Sequence, residues 1–110
     1  MIKASPNFTI EELTFSETAT RKDIDNTPSN EVLDNLYITA MEMENVRELL
    51  GNNPILISSG YRCLALNELL GSKPTSAHIR GLACDFTCPK YGDPHDIVDA
   101  IFGSDILYDQ

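Results

Sequence analysis

The chain has 110 residues, with 17 acids against 8 bases and a formal net charge of -9, which is length for one domain and too little for two. So few Lys and Arg argue against a phosphate-gripping surface or adhesion to anionic lipid, and neither nucleic acid nor membrane is expected as a partner. No run of 18 apolar residues is present to span a bilayer, and "MIKASPNFTIEEL" lacks the hydrophobic centre of a secretory signal.

In chain order, "NFTIEEL" predicts a short first helix, with Thr9 as N-cap and Glu12 as its capping-box partner. "SETATRKDIDNTPS" is polar and rich in turn residues, and predicts an irregular surface segment. From about Ser29 to Leu50, the residues Val32, Leu33, Leu36, Ala40, Met43, Val46, Leu49 and Leu50 recur at helical spacing, and Gly51 supplies the stop. This long helix is expected to be the main core element. "PILISS", bounded by Pro54 and Gly60, reads as a strand, and "LALNELLG" as a short helix ended by Gly71.

"SKPTSAHIRG" predicts a loop leading into an extended segment. In "LACDFTC", Leu82, Cys84, Phe86 and Cys88 would point one way, with Leu82 and Phe86 packed on the long helix, while Ala83, Asp85 and Thr87 point the other. "DPHDIVDAIFG" reads as a helix with Asp93 as N-cap, Pro94 at its first position and Gly103 past its end. "ILYDQ" has the makings of a further strand. Helices and strands mix without regular βαβ alternation, so the fold class is α+β.

The three cysteines, Cys63, Cys84 and Cys88, are an odd number for a disulfide framework. On one strand face, Cys84 and Cys88 would lie about 13 Å apart at ~3.3 Å per residue, beyond disulfide reach. Three buried free thiols in a reducing cytoplasm are therefore expected.

The chemistry concentrates in "SAHIRGLACDFTCP". His78, one of two histidines, precedes Asp85 by seven residues, with Gly81 available for a turn between them. Imidazole and carboxylate are ordinary zinc ligands, and small Ala83 and Thr87 leave room above the acid. Two ligands do not make a zinc site, so spacing alone leaves a solvated acid and a metal ligand both open.

Ser76-x-His78-x-x-Gly81-x-Ala83-x-Asp85, with Ser59-Gly60-Tyr61-Arg62 upstream, resembles the signature of the zinc D-Ala-D-Ala carboxypeptidase-like metallopeptidases. Those enzymes cut peptidoglycan stem peptides and include many bacteriophage endolysins. "FTIEELTFSETATRKDIDNTPS", "ISSGYRCLALNELLGS" and "YDQ" resemble, in order, their counterparts in the short single-domain branch, so the likeness covers nearly the whole chain.

The resemblance implies that His78 and Asp85 are zinc ligands. It implies that Arg62 steadies substrate oxygen, a role suited to a permanently charged planar fork, and that Ser76 bonds substrate or orders the loop. It further implies zinc-assisted hydrolysis of a peptidoglycan peptide bond, with Zn2+ acidifying water and polarising the scissile carbonyl. The setting would be that of a phage lysin which accumulates in the cytoplasm and acts on the bacterial wall. Cys63 stands where many relatives carry a small polar residue and reads as packing, since no partner base for a thiolate is identifiable.

The family completes its site with a later acid-x-x-His segment, which supplies the third ligand and the general base. By that comparison residues 1–110 are expected to form a single peptidase-like domain, C-terminally incomplete: a small antiparallel sheet against a long helix plus short helices, the final strand missing. His95, at a helix start among Asp93 and Asp96, and Asp109 are weak substitutes; the first reads as solvated and the second as structural. The competing reading is a catalytically silent domain of the same fold that binds cell-wall peptide or serves a phage structure. A plain metal-binding or signalling domain related by fold alone is the third.

Overall fold

In the computed structural model of the chain, which describes residues 2–103, the elements run β1 (Lys3–Ser5), β2 (Phe8–Thr9), α1 (Ile10–Thr14), α2 (Glu17–Arg21), α3 (Asn30–Leu49), β3 (Leu56–Ser59), α4 (Leu64–Leu69), β4 (Asp85–Thr87) and α5 (Pro94–Phe102), with a 3-10 turn at Ala77–Arg80. The architecture is α+β, as the mixed pattern predicts. The strands form two antiparallel pairs, β1 with β2 and β3 with β4. The expected "ILYDQ" strand and Asp109 lie outside the described residues.

Helix α3 organises the molecule. Ser29 caps it by accepting from the Val32 amide, and Leu36, Ala40, Met43 and Val46, followed by Leu50, form its buried stripe. Against that stripe pack Phe8, Ile10 and Leu13 from the N-terminal segment, Ile55 and Tyr61 around β3, and Ile97 and Ile101 from α5. Each large side chain removed from water there contributes roughly 1.5–3 kcal/mol.

The β1–β2 pair escaped sequence reading because its strands are three and two residues long. A distant residue holds it: Glu44 of α3 accepts from the Ser5 hydroxyl at 2.6 Å, from the Asn7 amide at 2.7 Å and from the Asn7 side chain at 2.7 Å. Helix α1 begins with the expected capping box of Thr9 and Glu12. Helix α5 begins with a second box, Asp93 with Asp96, and Pro94 sits at its first turn.

Three local expectations are corrected. Within "SETATRKDIDNTPS", Glu17–Arg21 is helical, because Ser16 caps the Ala19 amide at 3.1 Å and Ala19 is buried. Within "SKPTSAHIRG", Ala77–Arg80 forms the 3-10 turn. The strand in "LACDFTC" is confined to Asp85–Thr87, and Leu82 is 40% exposed rather than packed on α3. Alternation holds only where β3 offers a partner: Leu56 faces Thr87, Ile57 faces Phe86 and Ser59 faces Asp85, with a bulge between Ile57 and Ser59. Phe86 and Cys84 do pack, partly buried, against the core.

The cysteines are free. Cys88 is fully buried, whereas Cys63 and Cys84 are only half-buried, which corrects the expectation of three buried thiols.

Candidate active site

Three segments converge at the C-terminal end of β3. The first is "SSGYRC", where β3 ends and the chain crosses the last turn of α1. Tyr61 donates its amide to the Leu13 carbonyl at 2.7 Å. A Cβ on Gly60 would lie 2.2 Å from that same carbonyl oxygen, so only glycine lets the two backbones approach. The second is the 3-10 turn carrying His78, and the third is β4, which starts at Asp85.

The turn between His78 and Asp85 is built on α3. Gly81 has φ +74, and a Cβ there would meet the Val32 side chain at 3.0 Å, a position that excludes other residues twice over. Thr39 of α3 donates its hydroxyl to the Gly81 carbonyl at 2.7 Å, and Asn35 donates to the Arg80 carbonyl at 2.8 Å. The glycine singled out in the sequence therefore turns the chain while seating it on the long helix.

His78 is fixed from two sides. Its amide donates to the Ser76 hydroxyl at 3.3 Å, so Ser76 orders the loop. Its Nδ1 lies 2.7 Å from the Gly60 carbonyl oxygen. A carbonyl can only accept, so Nδ1 carries the proton, and in the neutral ring Nε2 presents a lone pair. That Nε2 faces Asp85 Oδ2 at 3.7 Å, too far for a hydrogen bond. With the ring neutral, two acceptors look at one another.

Arg62 completes the group. Its Nη2 lies 3.5 Å from the same Asp85 Oδ2. Its Nε donates to the Ser59 hydroxyl at 3.1 Å, and its Nη1 to the Ser72 hydroxyl at 3.0 Å and Asn67 Oδ1 at 3.5 Å. Arg62 and His78 side chains are each 13% exposed, and Asp85 is 59% exposed, so the cluster has a held, shielded side and an open one. The carboxylate is the open side.

That Ser59, Asn67 and Ser72 hold the Arg62 head escaped sequence reading, although Ser59 stands in the motif. Asn67 is fully buried and also donates to the Ser72 and Lys73 carbonyls at 3.3 and 2.9 Å. A single amide on the apolar face of a short helix is the signal that pointed to it; Ser72 carried none.

Other candidates stay apart. The His95 side chain is 83% exposed on α5 and pairs with Asp99 at 3.5 Å. A hydrogen bond to its own backbone, with Asp99 beside it, raises its pKa. Among the described residues no group of three or more His, Cys, Asp and Glu could hold a metal ion, so His95 does not join His78 and Asp85. Burial, with the neighbouring Asp85 charge, pushes the Cys84 thiol up to about 12, which removes it as a thiolate nucleophile at neutral pH. No helix among the described residues is long and apolar enough to cross a membrane.

Residues 6–102 match the family described as Peptidase M15. No curated protein and no solved structure matches the chain.

Proposed function

Because the chain belongs to the Peptidase M15 family of metallopeptidases, we propose that it is a zinc-dependent hydrolase of peptidoglycan stem peptides in which His78 and Asp85 hold the metal and Arg62 steadies the substrate. The observation that carries this reading is the facing pair of acceptors, His78 Nε2 and Asp85 Oδ2, 3.7 Å apart. Two acceptors in that relation are satisfied together by a cation. Donors at ~2.0–2.2 Å from one zinc ion stand roughly 3–4 Å apart, so the pair fits that ion. The Gly60 carbonyl supplies the outer hydrogen bond that orients a metal-binding imidazole and selects its tautomer.

When bound, zinc supplies Lewis acidity, which acidifies water and polarises a carbonyl. The chain's own residues supply the rest. Three side-chain oxygens immobilise two of the Arg62 nitrogens, which holds its planar fork of donors in place. Its Nη2 edge makes only the 3.5 Å ion pair with Asp85 and is the edge that would meet substrate oxygen and the negative charge that grows on it. Asp85, on the exposed side, sits where an extended peptide can approach. Membership of a family whose enzymes cut peptidoglycan peptides supports the bacterial wall as the place of action.

The second reading, a wall-peptide binder without turnover, is favoured by one observation: only two donors meet among the described residues. The deciding experiment incubates the full-length, zinc-supplemented protein with purified muropeptides and follows new amino termini. Cleavage that disappears in Asp85→Ala and on chelation is expected. Cleavage that survives both overturns the metallopeptidase reading, and peptide binding without cleavage favours the silent module.

A further inference from the structure

We infer that Asn26, in the segment between α2 and α3, is a positioning residue that sets Arg62 and His78 against Asp85; the inference rests on the reading of those residues as the reactive cluster. Asn26 belongs to no helix or strand, yet its amide makes three bonds to backbone far away in sequence. Its Nδ2 donates to the Thr14 carbonyl at 2.8 Å and to the Tyr61 carbonyl at 3.0 Å, while its Oδ1 accepts from the Cys63 amide at 2.7 Å. Tyr61 and Cys63 flank Arg62. One side chain therefore grips the backbone on both sides of the arginine and ties it to the end of α1.

The chemistry of the three partners requires an amide. Two carbonyls need two N–H donors, and one N–H needs an acceptor in the same plane; only Asn and Gln offer both. Aspartate would set a carboxylate against two carbonyls, and serine has one donor and less reach. The loop around Asn26 is stiffened to match. Asp25 accepts from the Thr27 amide at 3.0 Å and from its hydroxyl at 2.6 Å, and Ile24 donates to the Ala19 carbonyl at 2.8 Å.

The consequence reaches His78 through the same backbone. Arg62 donates its amide to the His78 carbonyl at 3.1 Å, and the Gly60 carbonyl meets His78 Nδ1 at 2.7 Å. Residues 60–63 thus bond to the histidine turn on one side and to Asn26 on the other. Ser59, Asn67 and Ser72 hold the guanidinium head; Asn26 holds the base of the arm. A shift of that base moves the Arg62 edge and the His78 ring together.

The test compares wild type, Asn26→Ala and Asn26→Asp in the full chain, the aspartate variant keeping the side-chain shape and the acceptor for the Cys63 amide should alanine prevent folding. Two readouts are taken below the melting transition: the NMR resonances of the Arg62 Nε–H and His78 Nδ1–H protons without metal, and kcat and KM on stem peptide with zinc. Both resonances are expected to shift and exchange faster. We expect kcat to fall on the order of 10- to 100-fold, the effect of a small misplacement, with KM changed by less than about 2-fold. In an Arg62→Ala background, Asn26→Ala should cost less than it does in wild type, because part of its effect runs through the arginine and only the part carried by His78 remains. Unchanged resonances, or an equal loss of rate in both backgrounds, overturn the inference. A wild type that cleaves nothing defeats the peptidase reading alone, since the resonances still decide the role of Asn26.

Discussion

The carbonyl oxygen of Gly60 lies 2.7 Å from Nδ1 of His78, and the residue that carries it has no room for a side chain. One backbone group thereby links the packing of β3 on α1 to the tautomer of the histidine. Gly60→Ala places a Cβ 2.2 Å from the Leu13 carbonyl oxygen, and backbone cannot step aside as a side-chain tip would. A loss of about 1–3 kcal/mol, typical of overpacking, is expected. Urea unfolding measures it, and a midpoint equal to wild type would contradict the close approach.

Arg62→Lys separates charge from shape. Lysine keeps the cation, but its single nitrogen cannot span Ser59, Ser72 and Asp85, which Arg62 meets with three different nitrogens. Zinc affinity should stay within a few-fold, whereas hydrolysis should drop by ~10²–10³, the cost of one oxyanion donor. Zinc titration and peptide turnover on the same preparation check both halves; wild-type turnover would remove Arg62 from the substrate's path.

Glu44 gives the fold an acid-sensitive staple. Partial burial works to raise its pKa, but hydrogen bonds from the Ser5 hydroxyl and from the Asn7 side chain and amide, with the Arg47 charge, outweigh it and the net shift is downward. A folded pKa below the unfolded value, about 4.3, means the stabilisation is fully present above that value and is lost as pH falls through the folded pKa. The stability gap between wild type and Glu44→Gln should therefore be open at pH 6 and shrink below about pH 4. Because the other carboxylates are common to both proteins, thermal melts of the pair across pH isolate this group. A gap that does not narrow would contradict the assignment.

What was legible in the sequence was local. The Thr9–Glu12 capping box, the α3 stripe, the Asp93 cap and the Pro94 start are each set by residues a few positions apart, and the structure has them. The motif likewise drew attention to Arg62, His78 and Asp85, which the fold brings together. What was not legible depends on distant partners. β1 and β2 rest on Glu44, whose bonds to Ser5 and Asn7 span 39 and 37 residues, and Asn26 finds Tyr61 and Cys63 across 35 and 37. Leu82 illustrates the converse error: alternation was extended past the point where β3 ceases to pair. Helix α2 had a local signal in Ser16 and Glu17, but its polar composition concealed a helix that buries only Ala19.

Whether His78 and Asp85 share a metal ion is read most directly from a zinc titration of the 110-residue chain followed at the ring-nitrogen resonances of both histidines. Zinc should shift Nε2 of His78 and leave its Nδ1 proton on the Gly60 carbonyl. With two donors meeting among the described residues, weak affinity is expected, since two ligands do not close a site. The response should vanish in Asp85→Ala and persist in His95→Ala. Zinc that moves the His95 resonances while His78 stays still, or a His78 response indifferent to Asp85→Ala, would contradict a metal ion shared by His78 and Asp85.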